Sequence, residues 1–410
     1  MSTIPIRAAA PAAAEASVEH YLRPGTLRLP ALPPLSLYVH WPWCVRKCPY
    51  CDFNSHESVG PIPEVAYLDA LRADLEAALP LVWGRPVVSV FIGGGTPSLM
   101  SAAGLDRLLS DIRALLPLVA DAEITLEANP GTFEADKFAA YRASGVNRLS
   151  IGIQSFDEAK LKSLGRIHDR TQALAAVAIA QRYFDNFNLD LMFALPGQTL
   201  AEAQADIEQA IALAPPHLSL YQLTLEPNTR FAKFPPALPD EDSAAAMQDW
   251  LEARTAAAGF RHYEISAYAQ PGRAARHNLN YWAFGDYLGI GAGAHGKLSF
   301  PHRVVRQVRF RNPQAYLEHA ARGEFVAESI EVDRADLPFE FMLNALRLTD
   351  GVAAGLFAER TGLPLSVIES PLNEAERRGL IVRDHVRIAP TALGSRFLSD
   401  LQSLFLPLEA

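Results

Sequence analysis

Cys44, Cys48 and Cys51 are the only cysteines in the chain, and a Cys-x3-Cys-x2-Cys spacing gathers them within eight residues. Such a run offers three thiolates rather than four. Structural zinc sites close with four protein ligands, whereas three leave a coordination position open. Soft thiolates select zinc, Cu(I) or iron–sulfur clusters. A four-iron cluster ordinarily takes a cysteine on each iron, so three cysteines leave one iron for a non-protein ligand. Zinc with His40 or His56 as fourth ligand is the competing arrangement. A disulfide framework fits poorly, because three is odd and the spacing crowds a bridge. Arg46 and Lys47, between the thiolates, would offset the negative charge of a ligated cluster.

The elements that must hold this loop read as strands alternating with amphipathic helices. Strands are expected at Ser36–His40, Val87–Ile92, Glu123–Glu127, Arg148–Gln154, Phe187–Met192 and His217–Thr224. Helical spacing between the first two is carried by Val65, Leu68, Leu71, Leu75 and Leu79. This alternation predicts a parallel sheet of βαβ units, whose ligands sit at the carboxyl ends of the strands. The unusual residues fall there. The cysteine loop follows the first strand, Gly93-Gly94-Gly95-Thr96-Pro97 the second, and Glu127 and Gln154 end the third and fourth. Asp190 lies inside the fifth, and Thr224 closes the sixth. Each has a plainer reading: the glycines as a permissive turn, Glu127 as a helix cap, Asp190 as a hydrogen-bonded strand residue. No Gly-Lys-Ser/Thr follows the glycines, so they are not a nucleotide P-loop.

The cysteine motif resembles the signature of the radical S-adenosylmethionine (SAM) superfamily. From about Leu37 onward the chain is similar to the oxygen-independent coproporphyrinogen III oxidase family, and within it to the HemW-type heme chaperones. The segments that carry this include Tyr38-Val39-His40-Trp41-Pro42-Trp43-Cys44, Gly93-Gly94-Gly95-Thr96-Pro97 and Ile151-Gly152-Ile153-Gln154-Ser155-Phe156. Leu164-Gly165-Arg166-Ile167-His168, Asn188-Leu189-Asp190-Leu191-Met192 and His277-Asn278-Leu279-Asn280-Tyr281-Trp282 continue it. The resemblance implies an α/β fold: a partial (β/α)6 radical SAM barrel with a C-terminal winged-helix-like α+β domain. It implies a [4Fe-4S] cluster on Cys44, Cys48 and Cys51, with SAM lined by Tyr38, Tyr50, Gly94, Gly95, Thr96, Glu127, Gln154, Arg166 and Asp190. Thr224 and His295 would border the same pocket. Heme would bind through the segment opened by His277. The oxidases of the family carry a further cysteine two residues after the third, where this chain has Phe53; that favours the chaperone branch. Coproporphyrinogen III oxidation is the alternative.

The expected organisation is a flexible extension over 1–34, a barrel over 35–235, a barrel extension with the heme segment over 236–330, and a C-terminal domain over 331–410. Helix Asp240–Gly259 and strand Arg261–Ile265 open the third part, and five glycines between Gly285 and Gly296 suggest tight backbone near the ligand. Helices followed by strands at Leu380–Val382 and Val386–Ile388 give the winged-helix pattern. Seven arginines against nine acidic residues over 337–410, and a net charge of −9 for all 410 residues, argue against a nucleic-acid partner and so against an RNA-modifying activity. The Ala/Pro-rich start lacks the charged and apolar regions of a signal peptide, and no run of about eighteen apolar residues occurs. Clustered cysteines fit a reducing cytoplasm. The partners implied by the resemblance are heme and heme-accepting respiratory proteins, with any membrane association made through them, and a monomer or ligand-dependent dimer.

Overall fold

The computed structural model describes residues 18–132 and 134–407. Twelve strands form one sheet: β1 Leu35–Trp41, β2 Val87–Gly94, β3 Leu118–Ala128, β4 Arg148–Gln154, β5 Phe187–Phe193, β6 His217–Gln222, β7 Arg261–Glu264, β8 Ala267–Ala269, β9 Asp286–Ile290, β10 His295–Phe300, β11 Arg303–Arg309 and β12 Val326–Glu331. Their spatial order is β12-β11-β10-β9-β1-β2-β3-β4-β5-β6-β8-β7. Strands β1 to β6 pair in parallel, each following its sequence predecessor across the sheet; β9 extends the parallel run beside β1, and antiparallel strands lie beyond it and beyond β6. All six expected strands are present within two or three residues of their expected ends, apart from an earlier start to β3.

Crossover helices cover the outer face. Side chains at 0–1 % exposure on the strands (Val39, Trp41, Ile92, Leu126, Ile151, Leu189) join the core with Leu71, Leu75, Leu109, Ile112, Phe138 and Val177 from the helices. Each fully buried aliphatic side chain contributes roughly 1.5–3 kcal/mol. Polar caps set where these helices begin. Asp169 with Gln172 and Thr199 with Glu202 form capping boxes, and Ser101 accepts from the Gly104 amide. In the first crossover helix, Glu64–Val82, the buried stripe runs Leu68, Leu71, Leu75, Ala78 and Val82, whereas Val65, expected inside, is exposed in the first turn.

Two expectations change. The stretch from Gly285 to Gly296 contains a seventh parallel strand, β9, paired with β1. Its glycines permit close contact between chain segments: a Cβ on Gly289 would lie 2.1 Å from the His295 carbonyl oxygen. The segment before Leu35 is also packed where it is described. Tyr21 is buried and stacks on Phe300 at 4.9 Å, and the Leu27 and Leu29 amides donate to the His302 and Pro301 carbonyls. The rest of the expected extension, 1–17, lies outside the described residues.

The C-terminal part holds helices Leu337–Ala345, Leu356–Thr361 and Glu369–Arg377 around a three-stranded sheet of 352–353, 381–383 and 387–390. Phe341, Phe357 and Leu372 form its core, which meets the barrel through Phe284.

Candidate functional site

Strand alternation sorts the barrel-facing side chains into two layers. Toward the amino ends of the strands lie Ser36, Ser89, Glu123, Arg148, Asn188 and His217, all at most 7 % exposed. Toward the carboxyl ends lie Tyr38, Phe91, Glu127, Gly152, Asp190 and Tyr221, each of which keeps some exposure. The lower layer is a closed polar floor and the upper layer a partly open chamber. Burial and then Asp190 drive the Tyr221 hydroxyl pKa up, although the residue is 43 % exposed.

The short helix Arg276–Trp282 plugs the floor. Asn280 donates to Ser36 Oγ at 2.8 Å, and Asn278 donates to the Tyr263 hydroxyl at 3.1 Å, itself 2.9 Å from His217 Nε2. These two asparagines of the His-Asn-x-Asn-Tyr-Trp segment therefore anchor the plug. His277 differs. Its Nδ1 lies 3.3 Å from Glu123 Oε1 and its ring packs on Phe91 at 4.3 Å, while Nε2 makes no hydrogen bond among the described residues and is not sealed from solvent. Burial lowers the pKa of His277, with Glu123 opposing, so the ring is neutral at pH 7.

The cysteines occupy the loop leaving β1, whose start is fixed by a short parallel pairing of 43–44 with 56–57. All three are free and half-buried. Each meets a different neighbour: Thr96 Oγ1 donates to Cys44 Sγ at 3.4 Å, Arg166 Nη1 lies 3.7 Å from Cys48 Sγ, and Ser55 Oγ lies 3.5 Å from Cys51 Sγ. Burial pushes the Cys44 and Cys51 thiols up, so metal ligation would be needed to hold them as thiolates. Among the described residues no three His, Cys, Asp or Glu side chains converge on a single-ion site. The zinc arrangement loses its expected fourth ligands to other work. His40 Nδ1 is 2.8 Å from the Tyr38 hydroxyl and its Nε2 3.0 Å from the Asn54 carbonyl, with burial lowering its pKa to about 4. His56 Nε2 faces Asn54 Oδ1 at 3.3 Å. Three unpaired thiols beside a cationic guanidinium suit a cluster that leaves one iron to another ligand.

The remaining expected residues gather around this loop and chamber. Gly94 has φ +112°, its amide donates to Glu127 Oε2 at 3.0 Å, and a Cβ there would strike the His40 ring at 2.4 Å. Gly95 leaves no room for a Cβ, which would lie 2.6 Å from the Trp43 carbonyl oxygen. Gln154 has φ +67° where the β4–β5 register slips, a strained conformation at the strand end. Arg166 donates from Nη2 to the Gly152 carbonyl at 2.7 Å and keeps a sealed, unpartnered Nε. Asp190 accepts from Ser150 at 3.0 Å and Asn188 at 2.7 Å, and burial raises its pKa. Burial first, then Asp190, raises Glu127 to about 7 against the Gly94 hydrogen bond. Tyr50 packs near Phe231, with ring centroids 6.4 Å apart. Thr224 donates to Glu226 at 2.6 Å in the loop after β6, and His295 is exposed at the start of β10. Two half-buried, mutually repelling carboxylates whose pKa values burial raises would be drawn to their ionised forms by a ligand with cationic groups.

Glu123, Arg148 and Tyr221 were not singled out from sequence. Period-two counting back from Glu127 and Gln154 and forward from Asp190's neighbour strand would have placed all three on the inner face.

Comparison with known proteins agrees with this architecture. The radical SAM superfamily model matches residues 38–210, and the HemN C-terminal domain model matches 332–397. The chain is 50 % identical to heme chaperone HemW of Escherichia coli over 92 % of its own length and 99 % of that protein's. It is 48 % identical to the Haemophilus influenzae protein of that name, with the same coverage, and 34 % identical to that of Bacillus subtilis over 90 % and 99 %. The solved structure of E. coli coproporphyrinogen III oxidase (HemN), 24 % identical, superposes with a TM-score of 0.79 over 91 % of this chain and 90 % of that one, which establishes the shared fold. Fold and cysteine loop thus define a radical SAM protein. The chain belongs to the heme chaperone HemW family.

Proposed function

We propose that this protein is a cytoplasmic heme chaperone that holds a [4Fe-4S] cluster and SAM, binds heme as cargo and passes it to heme-accepting respiratory proteins. Cys44, Cys48 and Cys51 would ligate the cluster. Glu127 and Asp190 would receive the cationic groups of SAM, Arg166 its carboxylate, and Gly94 and Gly95 would let it approach the backbone, with Tyr38, Tyr50, Thr96 and Gln154 completing the wall. When bound, cluster and SAM supply one-electron reductive chemistry. The division into a barrel over 35–235, an extension over 236–330 and a C-terminal domain over 331–410 belongs to the same reading.

The observation that carries the heme assignment is His277. A neutral imidazole held at Nδ1 by a carboxylate, with Nε2 left without a hydrogen bond among the described residues, has the form of a metal-ligating histidine. Oxidation of coproporphyrinogen III is the less supported reading, because Phe53, 59 % exposed beside the cysteine loop, stands where that chemistry would need a further thiol. Anaerobically reconstituted protein should give a saturable Soret band on heme titration, and no protoporphyrinogen from coproporphyrinogen III with SAM and reductant. Absence of the band, or turnover well above background, overturns the proposal.

A further inference from the structure

Three buried polar atoms without partners cluster where the C-terminal domain meets the chamber: Arg347 Nε, Glu264 Oε2 and Trp282 Nε1. Arg347 lies just past helix Leu337–Ala345 and stacks its guanidinium on the Trp282 ring at 4.2 Å. Its closest anion is Glu264 Oε2 at 3.8 Å, beyond hydrogen-bond reach, and its side chain makes no hydrogen bond among the described residues while staying 30 % exposed. Other arginines here are used up. Arg306 spends Nε and Nη2 on Glu340, and Arg309 donates to Asp74 and Gln307. Glu264 is 2 % exposed and already accepts from Ser266 at 3.2 Å; burial raises its pKa, with Arg347 opposing. A guanidinium with unspent donors beside an open chamber is a receptor for a carboxylate.

The surroundings say which carboxylate. Tyr221, a chamber wall that feels Asp190, Glu127 and Glu264, also lies within electrostatic reach of Arg347, as does Tyr281. Tyr281 is 39 % exposed and stands one helical turn from His277, on the same helix face. One short helix thus carries the His277 imidazole and the exposed Tyr281 ring, and its last residue, Trp282, holds the Arg347 guanidinium. A ligand with a central metal, a flat apolar ring and a carboxylate at its edge matches that set of groups.

We propose that Arg347, backed by Trp282 and flanked by Tyr281 and Tyr221, is the propionate-binding subsite for the tetrapyrrole, so that the C-terminal domain completes the cargo site. This rests on the heme reading above. The test is Soret titration of full-length, anaerobically reconstituted protein with heme and with heme dimethyl ester, whose propionates are capped. Wild type should prefer heme at least tenfold. Arg347→Gln should lower heme affinity to that of the ester and leave the ester unchanged, and Arg347→Lys should restore part of the preference. Equal binding of heme and ester by wild type overturns the subsite whatever the variants do. So does an Arg347→Gln protein that keeps the preference, or one that loses both ligands equally. A SAM affinity that falls in Arg347→Gln while heme binding holds would assign the carboxylate to SAM instead and overturn it too. Wild type that binds neither heme nor ester removes the heme-cargo reading itself.

Discussion

Replacing Glu127 with Gln should make the ligand-free protein more stable above neutral pH while impairing SAM binding. Glu127 sits in the wall with Asp190 two strands along, the Gly94 amide on one oxygen and Tyr38 and Tyr221 within electrostatic reach. Burial and Asp190 raise it from 4.5 to about 7. Because the folded value exceeds the unfolded one, the protonated form is favoured by folding. That contribution is fully present below pH 4.5 and is lost as pH rises through about 7. At roughly 1.4 kcal/mol per tenfold change in proton affinity, the loss is about 3 kcal/mol by pH 8. Asp190 couples to Glu127, so the difference between the two proteins reports Glu127 together with its repulsion of Asp190. Urea midpoints at pH 5 and pH 8, measured without SAM, should therefore converge at the lower pH and favour Glu127→Gln at the higher. A cationic ligand would pull Glu127 back to its ionised form, so SAM binding to wild type should strengthen with pH through 7 and release a proton, detectable by calorimetry in buffers of differing ionisation enthalpy. Parallel stability curves for the two proteins would refute the reasoning.

Three further outcomes follow from the same geometry. Cys44→Ser, Cys48→Ser and Cys51→Ser should each lose the cluster without unfolding, read as iron content and visible absorbance after anaerobic reconstitution; a full four-iron complement in any of them would remove that residue as a ligand. Asp190→Ala should weaken SAM binding by about 1–3 kcal/mol, since it strands Ser150 and Asn188 and removes an anionic partner, and unchanged calorimetry would place Asp190 outside the ligand wall. His277→Ala should shift or diminish the Soret band while the iron–sulfur signal persists; normal heme binding would take away its role as iron ligand.

The six parallel strands and the residues at their ends were legible because apolar runs and polar termini are local signals. What local signals could not supply was contact between distant segments. Strand β9 is hidden in a glycine-rich stretch, because Gly289, Gly291 and Gly293 answer to His295, His40 and Asn54 from other parts of the chain. Asn278 and Asn280 gave no hint that they plug the barrel floor, because their partners Tyr263 and Ser36 lie 15 and 244 residues away. Glu123 and Arg148 were within reach, because alternation along β3 and β4 repeats every two residues. Arg347 was not, because only docking of the C-terminal domain brings it to Trp282 and Glu264.

The central claim is that heme is cargo rather than a fixed prosthetic group. The direct measurement is to mix heme-loaded, cluster-containing protein with a heme-free respiratory acceptor, separate the two, and follow heme absorbance in each. Heme should move to the acceptor in a saturable, protein-dependent way. Transfer should fail when His277→Ala protein replaces the wild type. Heme that stays with the wild-type protein throughout, or that reaches the acceptor equally well as free heme, would contradict it.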